Sequence, residues 1–181
     1  MKEPLYDLAE GIRRCTACPL WKKRMLPVPG EGPVSAKLMF IGEAPGIEED
    51  KTGQPFVGIS GKFLDEILKK NKIKREEVFI TGAIKCHPDN NRKPTAKEIC
   101  TCRELWLKKQ IEAIKPEIIV LLGQTAVDSL IGKGKVKDYH GKLLMDRQYR
   151  FFVTYHPSAA RRFPQIKKLM EEDFGKLKKL I

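Results

Sequence analysis

The apolar positions along this chain change period in a regular order. In PLYDLAEGIRR, residues 4–14, Leu5, Leu8, Ala9 and Ile12 fall at helical spacing. Lys37 to Ile41 (KLMFI) is a short continuous apolar run of the kind that forms a buried strand, and it breaks into Pro, Gly and carboxylates. Ser60 is placed to cap a helix running to about Asn71, with Phe63, Leu64, Ile67 and Leu68 on its apolar face. Val78 to Thr81 predicts a second strand. Thr95 then predicts the start of a long helix through Cys100, Cys102, Leu105, Ile111 and Ile114, which Pro116 ends. Ile118 to Leu122 (IIVLL) is the most apolar strand, followed from Gly123 by a helix to about Ile131. A Gly- and Lys-rich connection leads to an edge hairpin or final strand, with Phe151 to Tyr155 running into His156-Pro157-Ser158. The tail, Gln165 to Ile181, reads as a basic amphipathic helix.

Strands alternating with helices predict an α/β fold of three layers, αβα, around a central, mainly parallel, four-stranded sheet. No repeat, low-complexity tract or linker divides the chain, so residues 1–181 are expected to form a single domain. Ligands of such sheets sit at the carboxyl ends of the strands. Three loops, after Ile41, Thr81 and Tyr155, are therefore expected to converge on one cleft. The first of them, Gly42 to Gly58 (GEAPGIEEDKTGQPFVG), carries most of the candidate chemistry.

Composition adds to this in two ways. With 181 residues, 41% hydrophobic and 32% charged, the chain can bury a sizeable core, and its Lys- and Glu-rich usage suits a thermophile. A net charge of +12 favours a polyanionic partner, most simply nucleic acid, although a solvated basic surface would give the same total. No apolar run reaches the roughly 18 to 20 residues that span a bilayer. The segment MKEPLYDLAEGIRRC lacks the apolar centre of a signal peptide, so a cytoplasmic location without a membrane partner is expected. Five cysteines in a reducing compartment are better metal ligands or core residues than disulfide partners. Cys15, Cys18 and Cys86, with Cys102 or Cys100, supply four thiolates from distant segments, enough for tetrahedral zinc or an iron-sulfur cluster. Cys100 and Cys102 cannot both point the same way on a helix.

Taken together, CTAC near the start, GEAPGIEEDKTGQPFVG, VFITGAIKCHPDNNRKPT and TYHPSA near the end resemble the family 4 uracil-DNA glycosylases, over nearly the whole chain and in the family's order. The resemblance implies a uracil-DNA glycosylase-like fold and a monofunctional DNA repair enzyme that hydrolyses the N-glycosidic bond of uracil to leave an abasic site. It implies a [4Fe-4S] cluster on Cys15, Cys18, Cys86 and Cys102, holding the N-terminal segment and leaving Cys100 as the extra thiol. Phe56 resembles the family's stacking aromatic, the backbone of Gly42, Glu43 and Ala44 its pocket lining, and His156 the histidine that donates to uracil O2.

Glu43 is the best candidate to orient or activate water, with Glu48, Glu49 and Asp50 as weaker ones; His87 and His140 have no comparable support. Uracil-containing DNA is the implied partner. A replication clamp or polymerase is a further partner class, and a monomer is expected because base flipping needs only one cleft.

Two positions depart from the family pattern. Gly82 stands where the family carries an asparagine whose amide reads the uracil edge. Losing one bidentate base contact costs about 1 to 3 kcal/mol, roughly tenfold to a hundredfold in discrimination. Backbone or water contacts, Asn90 or Asn91 could replace that amide. Otherwise the accepted base differs, hypoxanthine being one alternative, or the protein is a noncatalytic iron-sulfur binder of nucleic acid. After His156-Pro157-Ser158, Ala159-Ala160-Arg161-Arg162 replaces the usual leucine wedge, and Arg161 and Arg162 become candidate DNA contacts.

Overall fold

A computed structural model describes residues 4–146 and 148–181. Its strands are β1 (Leu38–Gly42), β2 (Phe79–Gly82), β3 (Ile118–Leu122), β4 (Leu143–Met145) and β5 (Arg150–Thr154). They form one five-stranded sheet in the order β2-β1-β3-β5-β4. The first four pair in parallel, Ile41 beside Thr81 and Leu121 beside Val153, whereas β4 lies antiparallel on β5. The four-strand expectation therefore misses one. β4 is only three residues long and partly exposed, so it carries neither an apolar run nor a full alternation.

Alternate residues of each strand serve opposite faces. Leu38 and Phe40 of β1 join a core with Ile80, Val120, Leu122 and Phe152. Helices α3 (Ile59–Lys70), α8 (Pro157–Arg162) and α9 (Pro164–Leu177) cover that face through Leu64, Ile67, Ala160, Met170 and Phe174. Met39 and Ile41 face the other core with Phe79, Ile119, Leu121 and Val153. There α5 (Lys108–Ile114) and α6 (Gln124–Leu130) contribute Ile111, Ile114, Ala126 and Val127, and Leu5 of α1 (Pro4–Arg13) packs alongside. Each fully buried Val, Leu, Ile, Phe or Met among them is worth about 1.5 to 3 kcal/mol of transfer free energy. This is the expected αβα arrangement.

Two helix expectations need correction. Ser60 is not a cap: α3 starts at Ile59 with Gly58 at the N-cap, which places Ser60 in the first turn. The long helix opens as expected at Thr95, which forms a capping box with Glu98, but α4 (Ala96–Cys102) passes into a π-helical stretch, Arg103–Leu107, before α5. The loop ahead of β1 also gains a role. Glu31 exchanges both backbone hydrogen bonds with Ile80, closing the outer edge of β2. Among the described residues, no helix is long and apolar enough to cross a membrane.

Candidate active site

The loops after β1, β2 and β5 do converge. They line a cleft of about 490 Å³ with Glu43, Ala44, Glu49, Phe56, Gly82, Asn91, Arg92, His156, Ser158 and Arg162. Strand order makes this possible. The chain leaves β1 for β2 on one side and reaches β3 on the other, and the crevice outside such a reversal is where open α/β sheets bind ligands.

Close backbone approach sets the cleft floor. A Cβ built on Gly42 would stand 2.5 Å from Phe56 Cζ, so the absence of a side chain lets that ring lie across the strand end. The Phe56 ring centroid is 5.8 Å from that of His156, with the planes tilted by 33°. Phe56 itself has a φ of 53°, an uncommon conformation for a residue with a side chain. Its ring also packs against the core beneath α3, so core contact and a cleft-facing position coexist.

The carboxylates of the first loop divide by role. Glu49 of α2 (Ile47–Thr52) accepts the backbone N–H groups of Gly46, Val57 and Gly58 at 3.0, 2.9 and 2.8 Å. Its charge is spent pinning the loop's two ends together. Asp50 is buried and accepts from the Met25 backbone N–H, and exposed Glu48 pairs with Lys51. Glu43 differs from all three. One of its oxygens accepts from Thr125 Oγ1 at 2.7 Å, and the residue lines the cleft. Thr125, on α6 and 1% exposed, was not singled out by the sequence; its signal is a hydroxyl just past the most apolar strand.

His156 follows β5 and caps α8. The Ser158 N–H donates to His156 Nδ1 at 3.2 Å, and Ser158 Oγ lies 2.8 Å from the same atom. Because a backbone N–H can only donate, Nδ1 is an acceptor and the neutral ring carries its proton on Nε2. Nε2 faces the Gly42 floor. Burial pushes the ring's pKa down to about 4, against a small upward pull from Glu49. Gly123, at φ +89°, makes room beside it: a Cβ there would stand 2.8 Å from the His156 Cβ.

The remaining histidines bond elsewhere in the fold. His87 Nδ1 donates to the Pro45 carbonyl, and His140 pairs with buried Asp173. Of the two arginines, Arg162 lines the cleft and Arg161 is exposed on the same helix. Phe163, next in the chain and 49% exposed, is a candidate contact that periodicity passes over because it falls at the α8–α9 junction.

Cys15, Cys18, Cys86 and Cys102 line a second cavity with Ile12, Ile84, Arg24 and Trp106. Cys100 is exposed, beside Arg103. Two N–H donors aim at sulfur: Trp106 Nε1 lies 3.2 Å from Cys15 Sγ, and an Arg24 guanidinium nitrogen 2.9 Å from Cys86 Sγ. Burial raises the thiol pKa values of Cys18 and Cys86, and pushes that of Cys102 up to about 12. Among the described residues, no three His, Cys, Asp or Glu side chains are gathered tightly enough for a single metal ion. Four thiols in one cavity are the donor set of a thiolate-held metal group, zinc or iron-sulfur.

A family model described as the uracil DNA glycosylase superfamily matches residues 29–178. The type-4 uracil-DNA glycosylase of Saccharolobus solfataricus is 44% identical over 96% of this chain and 85% of its own length. Those of Sulfurisphaera tokodaii and Archaeoglobus fulgidus are 40% and 38% identical over 98% of this chain, covering 85% and 94% of their own lengths.

Proposed function

The chain belongs to the uracil DNA glycosylase superfamily, and from that membership and the cleft we infer that it hydrolyses the N-glycosidic bond of uracil in DNA, leaving an abasic site. The observation that carries this reading is the meeting of Glu43, Phe56 and His156 in a single cleft at the carboxyl ends of the strands. DNA is the substrate, and the base must leave the stack to reach that cleft.

The reaction breaks the C1′–N1 bond. Its electron pair passes to the departing base, mainly towards O2, while positive charge grows on the sugar; water adds at C1′, and the proton it sheds balances the one the base anion takes up. Phe56 supplies an aromatic face for the extruded base. His156 donates Nε2–H to O2 as the negative charge builds; its Nδ1 is held by the Ser158 N–H, so the donor is aimed before the reaction begins. Glu43, with one oxygen anchored on Thr125, has the other to orient the attacking water. Glu43 and Ala44 line the base pocket, and Gly42, outside that lining, makes room for the Phe56 ring.

No lysine nucleophile is needed. Lys85 is 1% exposed and absent from the cleft lining, and its ammonium already bonds Thr81, Gly82 and Gln110. A single cleft holds Glu43, Phe56 and His156, which supports action as a monomer.

A [4Fe-4S] cluster held by Cys15, Cys18, Cys86 and Cys102 is part of the same proposal. The four-thiol lining and the N–H donors aimed at sulfur support it. The cluster would tie the N-terminal segment to the loop after β2 and to the end of α4. Purified protein should carry four irons and sulfides with broad absorbance near 400 nm, roughly; a colourless protein with stoichiometric zinc refutes the cluster.

The activity is tested with oligonucleotides bearing a single uracil, hypoxanthine, xanthine or thymine, followed by alkaline cleavage. Abasic product from uracil is the expected result. No product from any of them sinks the enzyme reading, and hypoxanthine release without uracil release overturns only the base.

A further inference from the structure

At position 82 the cleft wall offers a base no polar side chain, and its carbonyl is already engaged. Gly82 has no side chain, and a Cβ built there would stand 2.6 Å from the Ile84 carbonyl oxygen, so a longer residue would have to move the backbone. The Gly82 carbonyl is occupied as well, accepting from Lys85 Nζ at 2.8 Å. The same ammonium bonds Thr81 Oγ1 and Gln110 Oε1, both at 2.6 Å, fixing the wall from behind.

Uracil nevertheless has an edge to be read. With His156 on O2, the remaining groups are the N3–H donor and the O4 acceptor. One acceptor and one donor held side by side match them, and a carboxamide is that arrangement. Cytosine presents the reverse pattern, an N3 acceptor and an amino donor.

Asn91 is the only described cleft-lining residue with a carboxamide. No hydrogen bond of that side chain is found among the described residues, and the residue is exposed. Its backbone is well fixed. The Asn91 N–H donates to the Pro88 carbonyl at 3.0 Å, and Arg92 grips buried Glu98 with two bonds of 2.9 and 2.7 Å. Glu98 also accepts from the Thr95 N–H, tying the turn to the start of α4. Asn90, the other candidate, is exposed and does not line the cleft.

We propose that Asn91 is the base-reading residue of this enzyme, its carboxamide pairing with N3–H and O4 of the extruded base in place of a side chain at position 82. The proposal rests on the uracil reading above. It makes the loop after β2, rather than the strand end, the determinant that separates uracil from cytosine.

The test uses the full chain and single-turnover release from matched oligonucleotides carrying uracil or N3-methyluracil, which lacks the donor. Asn91 has a φ of 54°, so Asn91→Gly removes the amide without straining the backbone. Uracil release by Asn91→Gly should fall roughly tenfold to a hundredfold with an unchanged melting temperature, while Asn90→Gly behaves as wild type. The penalty wild type pays for N3-methylation should shrink in Asn91→Gly, a coupling that a purely structural role would not produce. Normal wild-type release with an unaffected Asn91→Gly, or an N3-methyl penalty equal in both proteins, overturns this assignment alone. Absence of uracil release by wild type overturns the glycosylase reading and this assignment with it.

Discussion

At the residue scale, the protonation of His156 makes the sharpest prediction. The folded ring has its pKa pushed down to about 4 from an ordinary 6.5, so between those values the unfolded chain holds a proton that the folded chain lacks. The stability contribution is therefore complete above about pH 6.5 and is lost as pH falls towards 4. As a neutral donor, His156 should keep working well below pH 6.5. The kcat/KM of uracil release should show no loss from this group between pH 8 and about 5, and should fall as pH approaches about 4, where a proton on Nδ1 displaces the Ser158 N–H that aims the ring. His156→Ala should lower kcat roughly 10² to 10³-fold and abolish the acid limb. A wild-type acid limb centred near pH 6.5 would contradict the neutral Nε2 donor. At Glu43, Glu43→Gln should lower kcat by roughly 10² or more with little change in KM, checked by single-turnover kinetics.

At the element scale, the loop between β1 and α3 is held by one carboxylate. Glu49 accepts three backbone N–H groups, joining the start of α2 to the segment ahead of α3 and thereby positioning Phe56. Glu49→Ala should cost about 2 kcal/mol and lower the melting temperature by roughly 4 to 8 °C, read by calorimetry. The α8–α9 junction carries the other element-level expectation. Phe163 is exposed beside two arginines, an arrangement suited to filling the gap in a base stack. Phe163→Ala should reduce release from duplex DNA more than from single strands, because only the duplex has a stack to hold open. An equal loss on both substrates would remove Phe163 from that role. The π-helical stretch after Cys102 belongs to this scale too: one continuous apolar pattern in the sequence became two helices, with Trp106 between them facing the cysteine cavity.

For the whole molecule, the net charge of +12 predicts counterion release on DNA. Binding to duplex DNA should weaken linearly on a log–log plot against salt. Arg162→Ala should reduce that slope by about 1 if Arg162, at the cleft, grips a phosphate. An unchanged slope would assign Arg162 to the cleft alone.

Much of this was legible in the chain itself. Short apolar runs and helical spacing determine which faces are buried, because burying apolar area is the dominant favourable term in folding. They placed four of the five strands, the αβα layering and the convergence of three loops. The tertiary structure decided what each polar residue does. Glu43 and Glu49 are both acidic residues of one loop; Thr125 holds the first in the cleft, whereas three backbone N–H groups occupy the second. Cys100 and Cys102 are two residues apart, yet helix phase turns only Cys102 into the cysteine cavity. At position 82, the missing amide could be read from the sequence. The occupied carbonyl and the fixed Asn91 turn could not, because hydrogen-bond partners 25 residues apart in sequence, as Lys85 and Gln110 are, become neighbours only when the sheet has folded.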